Sequence, residues 1–224
     1  MLIGLNINLK DKMRKTFLIL LTIFSLNSVF ADSPITSTEF YQPYLDIPIV
    51  KEASSSKGVM SNAMFDYIDD DSNPLDVKLA IINAIGWEHK GLKNSKIFFM
   101  YVMKKKNYQS EYANSDYMAF QWNATSDELI CYAYMKALDN YFDVVDAFEI
   151  AGEALKKSPD SFAVNMIYYL IKAQGISAFN EYCYSSKMFL MLKDNSKLKL
   201  DMRKDSLSYV FDYMTSIGEN CKTN

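Results

Sequence analysis

Apolar residues recur at steps of three and four along almost the whole chain from residue 58 onward. This spacing places them on one face of a helix. The first predicted helix carries on that face Val59, Met60, Ala63, Met64, Tyr67 and Ile68. No stretch shows the sustained two-residue alternation that a half-buried β-strand would require. The pattern therefore predicts an all-α fold.

Capping and helix-breaking residues divide this region into consecutive helices. Pro74 suits the first turn of a helix, Ser126 begins an acidic first turn, and Gly175 suits a helix end. The run Lys104-Lys105-Lys106 is typical of a helix C-terminus, where cations meet the negative end of the helix dipole. The predicted helices cover residues 75–87, 95–106, 112–122, 126–138, 143–157, 161–174, 177–192 and 198–217.

Residues 32–57 lack this periodicity. They contain Pro34, Pro43 and Pro48 and the polar run 54–57. We interpret them as an extended lead-in with a short helix at its end. The predicted organisation is thus a lead-in over 32–57 followed by one helical domain over 58–224.

The front of the chain is typical of an export signal. Basic residues at 10, 12, 14 and 15 precede an apolar run from Phe17 to Leu26, and small or apolar residues lead to Ala31. The apolar run of about ten residues is too short for a transmembrane helix, which needs roughly 20. We expect residues 1–31 to be a signal peptide cleaved after Ala31, which would place the protein in the periplasm or outside the cell.

Charge then narrows the range of partners. The whole chain has 24 basic and 27 acidic residues, and without residues 1–31 its net charge is −6 with Arg203 as its one arginine. Nucleic-acid binding is disfavoured, because phosphate contacts come mainly from dense Lys/Arg clusters. No second apolar run is long enough to predict a membrane span in the remaining chain.

Three cysteines lie at positions 131, 183 and 221. In an oxidising compartment two of them can pair, and Cys183 with Cys221 is the favoured pair because that bond would tie down the C-terminal end. The alternative is three buried thiols without a bond. The spacing contains no CxxC motif, so it gives no support for a zinc or redox site.

Residues 146–160 resemble the second helix and exit turn of a tetratricopeptide repeat. Ala147 and Ala154 provide the small residues that let paired helices approach, and Pro159 ends the unit. Ala151 replaces the usual aromatic residue, and the first-helix signature has Met135 where a small residue is expected. The resemblance covers about one unit clearly, and it implies antiparallel helix pairs stacked as a small array.

An internal shift of 33 residues agrees with this resemblance, since the family period is about 34. The shift matches apolar with apolar positions, pairing Leu129 with Phe162, Ile130 with Ala163, Ala133 with Met166, Ala137 with Leu170 and Leu138 with Ile171. The more polar stripe pairs Tyr132 with Asn165, Lys136 with Tyr169 and Asp139 with Lys172.

In tetratricopeptide arrays the first helices line a concave groove that binds peptides. The resemblance therefore implies a binding groove formed by Tyr132, Lys136, Asp139, Asn165, Tyr169 and Lys172. The implied partner is a protein or peptide. The alternative is that about half of these tyrosines fill the core between helices.

Candidate catalytic chemistry is sparse. His89 is the one histidine, at the predicted end of a helix, and a capping or surface role is favoured over catalysis. Asp69, Asp71 and Asn73 imitate the start of a calcium loop, but Pro74 and Ala80 replace its glycine and glutamate. The sequence predicts no catalytic residue, no cofactor and no metal site.

The sequence thus favours an exported, non-enzymatic binding or scaffold protein that uses a helical-repeat groove. Two alternatives remain open. One is an exported hydrolase of unknown substrate, and the other is an immunity or inhibitor protein, which a compact acidic body would suit.

Overall fold

The prediction of an all-α fold is confirmed by a computed structural model that describes residues 33–86, 93–108, 116–176 and 179–220. Helices account for most of these residues, and none of them belongs to a β-strand. The helices are α1 (Pro48–Ser54), α2 (Asn62–Asp69), α3 (Leu75–Ile85), α4 (Asn94–Lys106), α5 (Asp116–Asn123), α6 (Ser126–Asp139), α7 (Val145–Lys157), α8 (Phe162–Gln174), α9 (Phe179–Lys193) and α10 (Lys204–Asn220).

Helix α6 lies at the centre of the fold. Eleven of its fourteen residues are buried, as expected for a helix that is covered on every side. It packs against α3 and α4 on the N-terminal side and against α7 and α8 on the C-terminal side. Its start is held by a capping box, in which the Glu128 amide donates to Thr125 and the Thr125 amide donates to the Glu128 carboxylate.

The C-terminal half is a succession of packed helix pairs. Helix α7 packs on α6, α8 on α7, α9 on α8 and α10 on α9, and α6 also contacts α8. The connections over 140–144 and 158–161 are short, so the helices that they join run antiparallel. Alanines at 147, 151 and 154 are fully or almost fully buried on α7, which allows its close approach to α6.

The final helix begins six residues later than the predicted start at 198. Instead of continuing a helix, the chain before Lys204 crosses to the start of α8. There the Lys199 amide donates to the Asp160 carbonyl oxygen at 2.7 Å, and the Phe162 amide donates to the Lys199 carbonyl oxygen at 3.0 Å. These tertiary backbone hydrogen bonds replace the local ones that a helix would form.

The structure corrects the extended part of the predicted lead-in, whereas the short helix expected at its end is present as α1 (Pro48–Ser54). Residues 33–57 fold into turns, a 3-10 helix (Gln42–Tyr44) and α1. Their apolar side chains are part of the core, which includes Ile35, Phe40, Tyr44, Val50 and Ala53. Helical periodicity missed this segment because its core contacts come mainly from turns and a short helix.

Asn83 on α3 holds the lead-in in place. Its side-chain oxygen accepts from the Tyr41 amide at 2.9 Å. Its amide group donates to the Thr38 carbonyl oxygen at 3.0 Å and to the Tyr134 hydroxyl at 2.8 Å. A buried side-chain amide with all these partners satisfied links the lead-in, α3 and α6.

Several sequence predictions lie outside the described residues, namely the signal peptide over 1–31, His89 and Cys221. Cys131 is a buried free thiol, and Cys183 is disulfide-bonded. Pairing of Cys183 with Cys221 stays a prediction. Of the helices that the structure describes, none is both long and apolar enough to cross a bilayer.

Candidate functional site

A groove of about 300 Å³ lies between the start of α7 and the end of α8. We call it the α7/α8 groove. Its apolar lining consists of Phe142, Val144, Val145, Phe148, Ile171 and Ile176. Two of these side chains are unusually open to solvent, since Phe142 is 86% exposed and Val145 is 63% exposed. Large apolar side chains exposed next to one another are typical of interaction surfaces.

The turn between α6 and α7 shapes one wall of this groove. The Gln174 side chain at the end of α8 donates to the Tyr141 carbonyl oxygen at 2.9 Å. The centres of the Tyr141 and Phe142 rings lie 4.1 Å apart. A Cβ atom at Gly175 would lie 3.2 Å from a methyl group of Val144, so glycine at this position allows the turn and α8 to approach closely.

Charge in the α7/α8 groove comes from Lys172 and Asp143. The Lys172 ammonium lies 3.8 Å from the Met188 sulfur and 6.0 Å from the centre of the Tyr169 ring. Lys172 forms no salt bridge within the described ranges. The groove therefore combines an apolar floor with one cation and one carboxylate, Lys172 and Asp143, which form no salt bridge with each other.

Aromatic side chains continue from this groove across α8 to α9. Ring centres are 4.9 Å apart for Phe148 and Tyr168, 5.2 Å for Tyr168 and Tyr169, and 6.5 Å for Tyr169 and Phe189. Such edge-on and tilted contacts stabilise the packing of neighbouring helices.

Of the six residues predicted to form the binding groove, the structure places Lys172 in the α7/α8 groove, and Tyr169 contacts Lys172 beside it. Lys136 forms a salt bridge of 3.1 Å with Asp146 on α7. It therefore links the two helices of one pair at their solvent-facing edge.

The other three predicted residues make contacts within the fold. Tyr132 is 8% exposed and packs against the rings of Phe99 and Phe120, and burial raises the pKa of its hydroxyl. The Asn165 side chain donates to backbone carbonyl oxygens of Pro159 and Ser161. The carboxylate of Asp139 accepts from the first two amides of α4. A binding role for the six residues stays a prediction.

Sequence reasoning missed Phe142 and Val145, the two most exposed apolar residues of the groove. The sequence does carry a signal, because two aromatic residues at 141–142 stand in a short connection between helices, where polar residues are expected. Helical periodicity gives no weight to residues in turns, and the placement of the turn beside α8 depends on tertiary packing.

The main cluster of charged side chains elsewhere is neutralised within the fold. Lys105 and Lys106, from the predicted lysine-rich helix end, approach the buried Asp69 carboxylate to 2.9 and 3.7 Å. Lys106 also lies 2.6 Å from the buried Glu128 carboxylate. These ion pairs join α2, α4 and α6. Among the described residues, no group of three or more His, Cys, Asp or Glu side chains is arranged to hold a metal ion.

Comparison of this chain with protein-family models, with curated proteins and with solved structures gives no match.

Proposed function

We propose that this chain is a non-enzymatic binding protein that holds a peptide segment of its partner in the α7/α8 groove. The observation that carries the proposal is the exposure of Phe142 and Val145 beside the apolar lining of the groove. Exposed apolar side chains that adjoin an apolar groove are typical of interaction sites, whereas a single exposed apolar side chain elsewhere is ordinary. Aromatic residues are also enriched at the energetic centres of protein interfaces.

The chemistry of the groove specifies the kind of segment. The apolar floor fits aliphatic or aromatic side chains, and the Lys172 ammonium fits an Asp or Glu carboxylate. A carboxylate contact would fix the orientation of the segment, because charge complementarity contributes mainly to specificity. The partner segment therefore combines apolar residues with at least one acidic residue.

The order of helix contacts supports a repeat-like framework for this groove. Helix α6 packs on α7 and α8, and α8 in turn packs on α7 and α9. A tetratricopeptide-like array would have this order of neighbours, and it would present binding residues on a rigid surface. The framework is part of the proposal.

We further propose that the protein acts outside the cytoplasm after cleavage behind Ala31. The basic residues before an apolar run and the small residue at Ala31 support export. The partner would then be another exported or cell-surface protein.

Selection of a random peptide display library on the purified protein tests the proposal. We expect enriched peptides to combine apolar side chains with Asp or Glu. The substitution Phe142→Asp should weaken binding of a synthetic consensus peptide about tenfold or more, because it removes the aromatic contact and adds a like charge. Lys172→Glu should shift the selection toward peptides that carry Lys or Arg.

Trp122→Asp on α5 is the matched control. Trp122 is 74% exposed and does not line the groove, so this variant should bind the consensus peptide as the unaltered protein does. Absence of any enriched peptide would overturn the proposal. Equal loss of binding in the Phe142 and Trp122 variants, or an unchanged selection with Lys172→Glu, would overturn the assignment to this groove.

A further inference from the structure

A second and larger groove lies beside α10 and is independent of the proposed function. Its volume is about 440 Å³, which is within the range of small-molecule sites. We call it the α8/α10 groove. Its floor is apolar and is formed by Phe162, Leu198, Leu207 and Phe211. The two phenylalanines are buried, so the apolar surface extends below the protein exterior.

The wall of this groove is fixed in place by hydrogen bonds. The segment 198–201 is bound to the start of α8 through the backbone contacts of Lys199 with Asp160 and Phe162. The Asp201 carboxylate also accepts from the Ala163 amide at 2.8 Å. Because this wall is already ordered before a ligand binds, binding costs less conformational entropy.

The lining of the α8/α10 groove carries one more positive than negative charge, although the chain as a whole is acidic. Lys193 and Lys204 line the groove, and the Lys193 ammonium lies 5.4 Å from the centre of the Phe211 ring. Both lysines are exposed, and neither forms a salt bridge in the described part of the chain. Asp212 carries the one carboxylate among the described lining residues. Beyond the lining, exposed Lys197 and Lys199 are balanced by exposed Asp194 and Asp205, so the positive excess belongs to the lining itself.

We propose that the α8/α10 groove binds a long-chain carboxylate, with its hydrocarbon tail on the apolar floor and its carboxylate at Lys193 and Lys204. The tail would be removed from water by contact with the floor, which is the main source of affinity for such a ligand. The two ammonium groups would select an anionic head and reject a cationic one.

Two other anionic ligands fit this groove less well. A phosphate group is bound most specifically by a free arginine, but Arg203 is engaged with Asp46 and with the Pro43 carbonyl oxygen. A membrane surface would require several protruding apolar side chains, whereas Phe162 and Phe211 are recessed and, of the apolar lining residues described, Leu200 alone is exposed. A single amphiphile can reach them.

Isothermal titration calorimetry with dodecanoate, kept below its micelle-forming concentration, tests this proposal on the purified protein. We expect saturable binding at one site. The double substitution Lys193→Glu and Lys204→Glu should weaken it about tenfold or more, because two attractive charges become repulsive. Butyrate, which lacks the tail, and dodecyltrimethylammonium, which reverses the head charge, should bind much more weakly.

Lys187→Glu is the matched control, since Lys187 is an exposed lysine on α9 that does not line the groove. It should leave dodecanoate binding unchanged. Three results would overturn the proposal: no binding of dodecanoate, equal binding of butyrate or the cationic amphiphile, or equal effects of the groove and control variants. Binding to anionic lipid vesicles without binding to monomeric dodecanoate would also overturn it. Peptide binding at the α7/α8 groove has a separate readout and can fail independently.

Discussion

Asp139 caps a helix to which it does not belong. Its two carboxylate oxygens accept from the amides of Asn94 and Ser95, at 3.1 and 2.9 Å. The preceding Lys93 has φ of +50° and offers no side-chain cap to α4. These amides would otherwise lack an acceptor at the helix start. One carboxylate from the end of α6 therefore satisfies the first two amides of α4.

The pH dependence of stability should report this contact. Burial raises the pKa of the Asp139 carboxyl above its ordinary value of 3.8, and the hydrogen bonds from Ser95 and Asn94 oppose that rise. A raised pKa in the folded state means that the contribution of this group to stability is present below 3.8 and is lost as pH rises through the folded-state value. Asp139→Asn lacks this dependence, and at pH 3 its amide presents one acceptor oxygen, as the protonated Asp139 carboxyl does, so the two proteins should have similar stability there.

We therefore expect the unfolding free energy of the unaltered protein to fall relative to that of Asp139→Asn between pH 3 and pH 7. Urea titrations at both pH values measure it. A rise in the unfolding free energy of the unaltered protein relative to Asp139→Asn over the same interval would mean that the capping hydrogen bonds outweigh burial. Glu149→Gln on the exposed side of α7 is the control, and its small effect should not vary in this way.

At the scale of elements, α3 and α6 are joined by an ion pair whose two partners differ in burial. The Lys78 side chain is 1% exposed, and its ammonium lies 3.8 Å from a carboxylate oxygen of the partly exposed Asp127. Burial raises the pKa of the Asp127 carboxyl, and the Lys78 ammonium opposes that rise. A buried charge is costly without its counter-charge, whereas a partly exposed carboxylate is still solvated.

Replacing Asp127 and replacing Lys78 should therefore change the unfolding free energy by different amounts. Asp127→Asn leaves the buried ammonium uncompensated, and we expect a loss of about 2–3 kcal/mol of unfolding free energy. Lys78→Met replaces the ammonium by an apolar group of similar length, and we expect a change within about 1 kcal/mol. Urea unfolding at pH 7 measures both.

The double variant Lys78→Met with Asp127→Asn completes a double-mutant cycle. Its stability should be closer to that of Lys78→Met alone than to that of Asp127→Asn alone, because the uncompensated charge is gone. Equal losses for the two single variants would show that the Lys78 ammonium reaches water in solution, contrary to its burial here.

At the scale of the whole molecule, Arg203 connects the two ends of the described fold. Its guanidinium donates to the Pro43 carbonyl oxygen at 2.6 Å and to the Asp46 carboxylate at 2.7 and 3.2 Å. It also lies over the Tyr44 ring, at 4.7 Å from its centre. The Arg203 amide donates to the Tyr44 hydroxyl, which in turn donates to Asp76. These contacts hold the lead-in against the start of α10.

Arg203→Lys should weaken this connection, because an ammonium group cannot keep the forked contact and the stacking together. We expect a loss of about 1 kcal/mol in unfolding free energy, with faster amide hydrogen exchange at Tyr44, Leu45 and Ile47. Hydrogen exchange followed by mass spectrometry measures the local effect.

Lys197→Ala, a change of an exposed cation in the preceding turn, should alter neither quantity. Unchanged exchange over 44–47 in Arg203→Lys would contradict a role for Arg203 in holding the lead-in. Stability lost without that local change would contradict it as well.

Helix existence was predictable at most positions because apolar periodicity and caps are local signals. The predicted segment 126–138 agrees with α6 within one residue, and 161–174 agrees with α8 equally well. The candidate grooves were much less predictable. Lys172 was predicted as a binding residue, but Phe142 stands in a turn, and the α8/α10 groove depends on a segment that was predicted to be helical.

The sequence by itself determined that this chain is helical and where most of its helices begin and end, because those properties depend on residues three or four positions apart. Only the tertiary structure decided what lies between the helices. It buried the lead-in and placed Asp139 at the start of α4. It also kept residues 198–203 out of a helix, with Lys199 hydrogen-bonded to the start of α8. Those outcomes depend on hydrogen bonds and packing between residues far apart in the chain. The spacing of apolar and capping residues along the sequence carries no information about such contacts.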